Sequence, residues 1–456
     1  MSLSGCCSLV RKALLFAVLA LLGGCALVQE APPPLRLKDF SADKISAGST
    51  LMGPVRWTAR TEGGSGPLSY EFTSIDGEGR EARWQGGEES FEWRPPHSGT
   101  YRMKVAVRDQ DGNAAESDWS AEFAVSRPRF AVLPLQNLSG GPAPLAAIRT
   151  SLLDLLQAEG GEVVSDSDLE KFMAAERMRN VGGIDGPLAA KMREATGAEA
   201  VLITSLELYT EQFPPRIALL ARLVSLGEEP VILWMDSVGL AGDDRPGLLG
   251  LGLIEKPELL RDKALRRLVD SLKRQLAGEG QKLDAAGKFQ PKLAYGSRGL
   301  DRERKYRVAV GPFFNLSDRK YGGEIMALHF VSALQKIGRF EVIEPGMVLT
   351  EMLRFRIIMD DGVSLPGVGN LVSNLEADFF LSGKVFDYQD PKGGWGMPVV
   401  DFSAEMIEVQ NGEVVWTSKS YNAGTDGVFF FDWGRVTTAS AMAAEMALAV
   451  SGLIAQ

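Results

Sequence analysis

Two histidines, His97 and His329, are the only imidazoles in a chain of 456 residues. A His-centred triad or a His-rich zinc site needs imidazole beside a nucleophile or beside further ligands, and the sequence supplies neither pattern. His97 stands in a Pro-Pro-His-Ser-Gly turn. His329 falls with Ser332 and Gln335 at i, i+3, i+6 spacing and reads as the polar edge of a helix. Carboxylates pair at Asp243/Asp244 and Asp360/Asp361, a pattern that can serve acid–base work, but both pairs sit in turn-like sequence and read as solvated. GLLGLG (247–252) lacks the strand–loop–helix setting and third glycine of a dinucleotide loop, and PGVGN (366–370) does no better. The remaining polar signature is doubled. FAVLPLQNLSG (130–140) and VAVGPFFNLSD (308–318) share Ala131/Ala309, Val132/Val310, Pro134/Pro312, Asn137/Asn315, Leu138/Leu316 and Ser139/Ser317. Asn and Ser without a nearby base activate nothing. They do bond local backbone and help start helices, while a proline ends a strand because it cannot donate to a ladder. The expectation is a chain that is not an enzyme, with no catalytic residue, no cofactor and no metal ligand.

The one residue type with a covalent chemistry in view is cysteine. All three cysteines, Cys6, Cys7 and Cys25, lie at the N-terminus. Arg11 and Lys12 precede the apolar run Ala13–Leu22, too short to span a bilayer, and Leu22-Gly23-Gly24-Cys25 follows. This order resembles the bacterial lipobox. The resemblance implies a signal peptide at residues 1–24, cleavage before Cys25 and lipidation of Cys25 by acyl chains such as palmitate. Three chains exceed the two signals that stable anchoring requires. Ala26 after the cysteine implies the outer membrane. A single remaining cysteine leaves no internal disulfide.

What must position any site is a chain too long for one core. It is 45% hydrophobic and 24% charged, with net charge −10. That balance argues against nucleic acid, whose phosphates need a basic surface. Residues 25–36 are a Pro-rich tether, semi-rigid through Pro32–Pro34. Residues 37–127 alternate apolar and polar in PVRWTAR and TYRMKVAVRD between Gly- and Pro-rich turns, the pattern of a small β-sandwich. Within it Trp93, Pro95, Gly99, Tyr101, Val105, Val107 and Asp109 resemble the immunoglobulin-like repeats of the polycystic-kidney-disease kind, which act as spacers or adhesion modules.

From Arg129 the order changes to alternating strands and helices, and it occurs twice. Leu156-Gln157…Gly160 matches Leu334-Gln335…Gly338. Glu162-Val163-Val164 matches Glu341-Val342-Ile343, Ala198-Glu199 matches Ala377-Asp378, and Trp234 matches Trp416. Sustained order of this kind is a tandem duplication. Copy one spans 128–290 and copy two 295–456. In the second, Gln410-Asn411-Gly412-Glu413 predicts a type I′ hairpin turn with both central residues at positive φ. The phrase with Val132, Pro134 and Asn137, repeated as Val310, Pro312 and Asn315, resembles the opening of TolB amino-terminal and curli-secretion (CsgG-like) domains and of lipoprotein activators of penicillin-binding proteins.

The fold class is therefore α/β, mixed sheets with flanking helices, duplicated and preceded by an all-β sandwich. The expected role is a lipid-anchored, periplasm-facing scaffold or adaptor of a cell-envelope assembly. Its partners would be the membrane, through the lipid, and envelope proteins. The alternatives are an oligomeric component of a curli-type secretion channel or an activator of cell-wall synthesis. Pairs of roughly ten-residue alternating strands, which would build a pore, are not evident. Two apolar segments where the copies differ suggest interaction loops: Leu248, Leu249 and Leu251 in the first, Phe429, Phe430, Phe431 and Trp433 in the second.

Overall fold

The computed structural model describes residues 33–43, 48–49, 55–126, 128–244, 252–277, 279, 288–297, 299–301, 304–355, 374–393, 396–426 and 434–456. Chain contacts divide them into two compact units, one holding the β-rich front and the other almost everything from Val125 onward.

The front unit is a two-sheet sandwich. Strands β1 (Arg36–Ala42), β2 (Val55–Glu62) and β5 (Ser90–Trp93) form one sheet in the order β1-β2-β5. Strands β3 (Ser69–Asp76), β4 (Glu81–Gly86) and β6 (Gly99–Arg108), with β7 (Ala114–Glu116) and β8 (Phe123–Ser126) on β6, form the other. The alternation read from sequence sets the faces. Trp57 and Ala59 on β2 and Tyr101, Met103, Val105 and Val107 on β6 point inward. Trp93 meets Tyr101 edge-to-face at 5.0 Å, a geometry that adds to plain burial. Asp109 closes the turn after β6. Its carboxylate accepts from the amides of Ser65, Asp111 and Asn113 and from the Asn113 side chain. The Asn113 bond, opposed by burial and helped by those amides, holds its pKa below the usual range.

In the second unit the duplication is visible as one strand order used twice. The first sheet runs β11 (Glu162–Val163), β9 (Arg129–Val132), β12 (Ala200–Thr210), β13 (Arg216–Ser225), β14 (Ile232–Ala241), with the short β10 (Gln136–Asn137) on β12. The second runs β18 (Phe340–Val342), β16 (Tyr306–Val310), β19 (Phe379–Gln389), β20 (Val399–Glu408), β21 (Val414–Ala423), with β17 (Phe314–Asn315) on β19 and an added edge strand β15 (Leu293–Gly296) on β21. In both, three parallel strands lead into an antiparallel meander.

The helices differ between copies in a way that explains the packing. Helices α1 (Leu145–Ala158) and α4 (Pro257–Leu276) of copy one are amphipathic. Ile148, Leu152 and Leu156 on α1 and Leu260, Leu265, Leu268 and Leu272 on α4 are buried, and Arg266, Arg267, Lys273 and Arg274 face water. Together they cover one face of the first sheet. Helices α5 (Gly322–Ile337) and α7 (Ala439–Ile454) of copy two are buried almost all round, which marks a helix enclosed on both sides. They lie between the two sheets and join Val201, Ile203, Leu220 and Met235 of copy one to Val310, Phe402, Ala404 and Met406 of copy two in one core. Strand β13 is consequently buried on both faces. Two short helices, α2 (Asp166–Ala175) and α3 (Gly186–Thr196), are capped by Ser165 and Asp185; α6 (Pro345–Arg354) is capped by Glu344.

Two local expectations need correction. The 410–413 turn is not type I′: Gly412 alone has positive φ, 74°, and Asn411 instead accepts from the Glu413 amide. The loop is longer because β20 ends at Glu408 and β21 starts at Val414. Alternating strands of ten residues do occur, β20 and β21 among them, but they belong to the domain sheet. None of the described helices is long and apolar enough to cross a membrane.

Candidate functional site

The doubled phrase builds the same loop twice. In each, Pro134 or Pro312 interrupts the strand, and the Asn side chain folds the chain back. Asn137 Oδ1 accepts from the Ser139 amide at 3.0 Å and its hydroxyl at 2.6 Å, while Nδ2 donates to the Gly141 carbonyl. Asn315 repeats this with the Ser317 amide and hydroxyl and the Arg319 carbonyl. These side chains close the loop; they do not cap a helix, since α1 and α5 begin at Leu145 and Gly322 with no side-chain cap. The two loops also touch. The Arg319 guanidinium donates to the Ser139 carbonyl at 2.7 Å and to the carbonyl of Glu207.

That contact opens onto a seam of buried charge that sequence reasoning missed. Arg222, on β13 of copy one, donates from Nε and Nη2 to the two carboxylate oxygens of Glu344 at 2.9 Å each, and from Nη2 to the Gly182 carbonyl at 2.5 Å. Both side chains are 0% exposed. Glu344 also accepts from the amides of Ile184 and Gly346. A charge removed from water survives only when paired and hydrogen-bonded in this way.

Farther along the seam, Glu207 on β12 faces His329 on α5 with 3.3 Å between Oε2 and Nε2. His329 is thus not on a polar helix edge; it is 1% exposed, as is Glu207. Burial raises the Glu207 carboxyl pKa, but His329, the nearby Ser440 hydroxyl and Arg319 outweigh it, and the net shift is downward. Around the pair, burial pushes the Tyr388 phenol well above its ordinary value, with Glu207 and Asp390 adding to the rise. Asp390 is raised by burial too, although it accepts from the Ala439 amide at the start of α7. The Tyr388 and Ser440 hydroxyls, both Glu207 carboxylate oxygens and both His329 ring nitrogens make no hydrogen bond of good geometry among the described residues.

His329 forms part of the floor of a cleft of about 560 Å³ between β14, α4, α5 and α7. Its walls carry Arg267, Arg274 and Lys336 against Asp236, Asp270 and Glu445. Asp236 ties the copies together there, accepting from Lys336 of α5 at 2.6 Å and from Ser271 of α4 at 2.5 Å. The Glu207–His329 pair sets a carboxylate against an imidazole where β12 of copy one meets α5 of copy two, and its neighbouring hydroxyls are buried with it.

The sequence-predicted residues fall elsewhere. His97 is exposed in its turn. Asp243 and Asp244 are half-buried, not solvated: Asp244 accepts from the Ala241 amide and from Thr437, and burial raises its pKa despite them. Cys25, the Asp360/Asp361 pair, 366–370, Leu248, Leu249, Leu251, Phe429, Phe430, Phe431 and Trp433 lie outside the described residues. Among the described residues no cluster of His, Cys, Asp or Glu could hold a metal ion. The seam carries no local signal. Its one sequence hint is a histidine inside the strongly apolar stretch Ile325–Leu334.

No protein-family model and no curated protein matches the chain. Solved structures do. A PelC dodecamer from Paraburkholderia phytofirmans is similar at 21% identity and a TM-score of 0.25, over 35% of this chain and 93% of that one. Lipoprotein GNA1162 from Neisseria meningitidis is similar at 21% and 0.24, over 32% and 98%. The LpoB C-terminal domain from Salmonella enterica is similar at 15% and 0.21, over 26% and 83%.

Proposed function

We propose that this chain is a lipid-anchored scaffold or adaptor that faces the periplasm and serves a cell-envelope assembly without catalysing a reaction. The observation that carries the reading is the seam: a shared core and the Arg222–Glu344 pair fasten two copies into one body. Behind a lipobox-like Cys25 and a Pro-rich tether, such a body is suited to holding partners at a distance from the membrane.

The seam's outer faces also bear on the channel alternative. Stacking further subunits by the same contact would need the outer face of the second sheet to look like the covered face of the first. It does not. Ala218, Leu220 and Met235 are matched in register by Asp401, Ser403 and Thr417, and Lys384 and Glu405 there are exposed. At the other end α4 presents its basic face. The outer face of the second sheet, which also exposes Phe386 and Tyr421, differs from the covered face of the first sheet, and the difference argues against propagation by the same contact.

Metabolic labelling with an alkynyl fatty acid is expected to mark the protein in the outer-membrane fraction. Cys25→Ser should abolish the label and shift the protein out of that fraction, and crosslinking in intact cells should recover envelope proteins with the wild type. A turnover assay that survived loss of the lipid and died on one polar substitution would overturn the reading.

A further inference from the structure

Each sheet has a switch point. The chain enters on the middle parallel strand (β9 or β16), crosses to one side (β11 or β18), then returns to the other (β12 or β19). In open α/β sheets the crevice beyond the carboxyl ends of such strands is where ligands bind.

The two copies treat this crevice differently. In copy one it is plugged from within the chain. Arg149 of α1 donates from Nε and Nη2 to the Val132 carbonyl at 3.3 and 2.8 Å, and from Nη2 to Asp166 at 2.7 Å. That bond, against the opposing effect of burial, holds the Asp166 carboxyl below its usual range. In copy two the three matching positions are Ala327 for Arg149, Val310 for Val132 and Pro345 for Asp166. The guanidinium and its carboxylate are both missing, and a cavity of about 320 Å³ stands in their place.

The cavity has apolar walls, including Val310, Ala327, Val331 and Val348, and nearly as much polar surface, to which three polar side chains contribute. One is Glu324 in the first turn of α5. One of its oxygens accepts from Gln136 of copy one at 2.6 Å; the other makes no hydrogen bond among the described residues. Burial raises its pKa, although Gln136 and Arg222 lower it. A pocket of this size, with an apolar wall and a convergent carboxyl, can take a small molecule.

We propose that this second-copy crevice binds a small molecule bearing a guanidinium or amidinium group on a short apolar chain, which takes the place that Arg149 fills in copy one. Glu324 receives the cation and the valine walls take the chain. The inference is independent of the scaffold reading.

The test uses the full chain with n-butylguanidinium as probe and n-butanol as its uncharged counterpart, by thermal melting and calorimetric titration. The guanidinium is expected to raise the melting temperature saturably, by about 2–3 °C at saturation, and the alcohol to leave it unchanged. Glu324→Gln should remove the shift. Ala327→Arg should fold with the plug restored and also lose it. Equal effects of the two probes, no saturable binding to the wild type, or an undiminished shift in Glu324→Gln would each overturn the proposal. Should Ala327→Arg fail to fold, Glu324→Gln alone decides.

Discussion

Arg222→Met is expected to lower the free energy of unfolding by about 3–5 kcal/mol, the usual cost of stranding a buried charge. The stranded group is Glu344, 0% exposed and left with only the Ile184 and Gly346 amides as partners. A lysine at 222 would not replace the bidentate guanidinium either, because it delivers a single point charge. Replacing both partners, Arg222→Met with Glu344→Leu, should regain most of the loss, since the desolvation cost of the pair vanishes with it. It should not regain all. Glu344 also caps α6, and loss of a cap costs about 1 kcal/mol. Urea denaturation of the two single variants and the double variant measures this directly. A single-variant loss under about 1 kcal/mol would mean that the pair is solvated.

A loss of about 3 kcal/mol is expected for Gly346→Ala, from the same seam and for a different reason. A Cβ at Gly346 would lie 2.2 Å from the Ile184 nitrogen and 2.6 Å from the Gly183 carbonyl carbon. Both are backbone atoms, which cannot swing aside as a side chain can. The start of α6 and the Gly182–Ile184 segment of copy one would have to separate, and that segment also supplies the Gly182 carbonyl to Arg222 and the Ile184 amide to Glu344. Gly452→Ala in α7 is the control. A Cβ there meets nothing within 4 Å, and alanine is the better helix former, so stability should hold or rise slightly. Thermal melting of both variants distinguishes a steric seam from a general intolerance of glycine replacement.

Much of the architecture is legible in the sequence because it is written in short-range periodicity. The alternation through Trp57 and Ala59 sets a sandwich face, as the strand shows. The duplication is legible because Pro, Asn and Ser recur where a loop must turn in the same way twice. What the sequence hides is pairing at long range. Glu207 and His329, or Arg222 and Glu344, stand far apart in the chain, and no local pattern announces that one copy's strand will bury against the other's helices. Periodicity also misjudges His329. The i, i+3, i+6 row of His329, Ser332 and Gln335 reads as a polar edge, yet α5 is covered on both sides and that row faces copy one, where Gln335 donates to the Ile232 carbonyl. The Asp243/Asp244 turn fails for a related reason, since the partner that buries it, Thr437, comes from the other copy.

The central claim is that the two copies form one body through this seam. Hydrogen exchange of the full chain in rising denaturant tests it most directly, because it reads opening locally. Amides of β13 (Arg216–Ser225) in copy one and of α7 (Ala439–Ile454) in copy two are predicted to open together, at one common free energy and with one denaturant dependence. Opening of α7 at a clearly lower free energy, with β13 still protected, would contradict it.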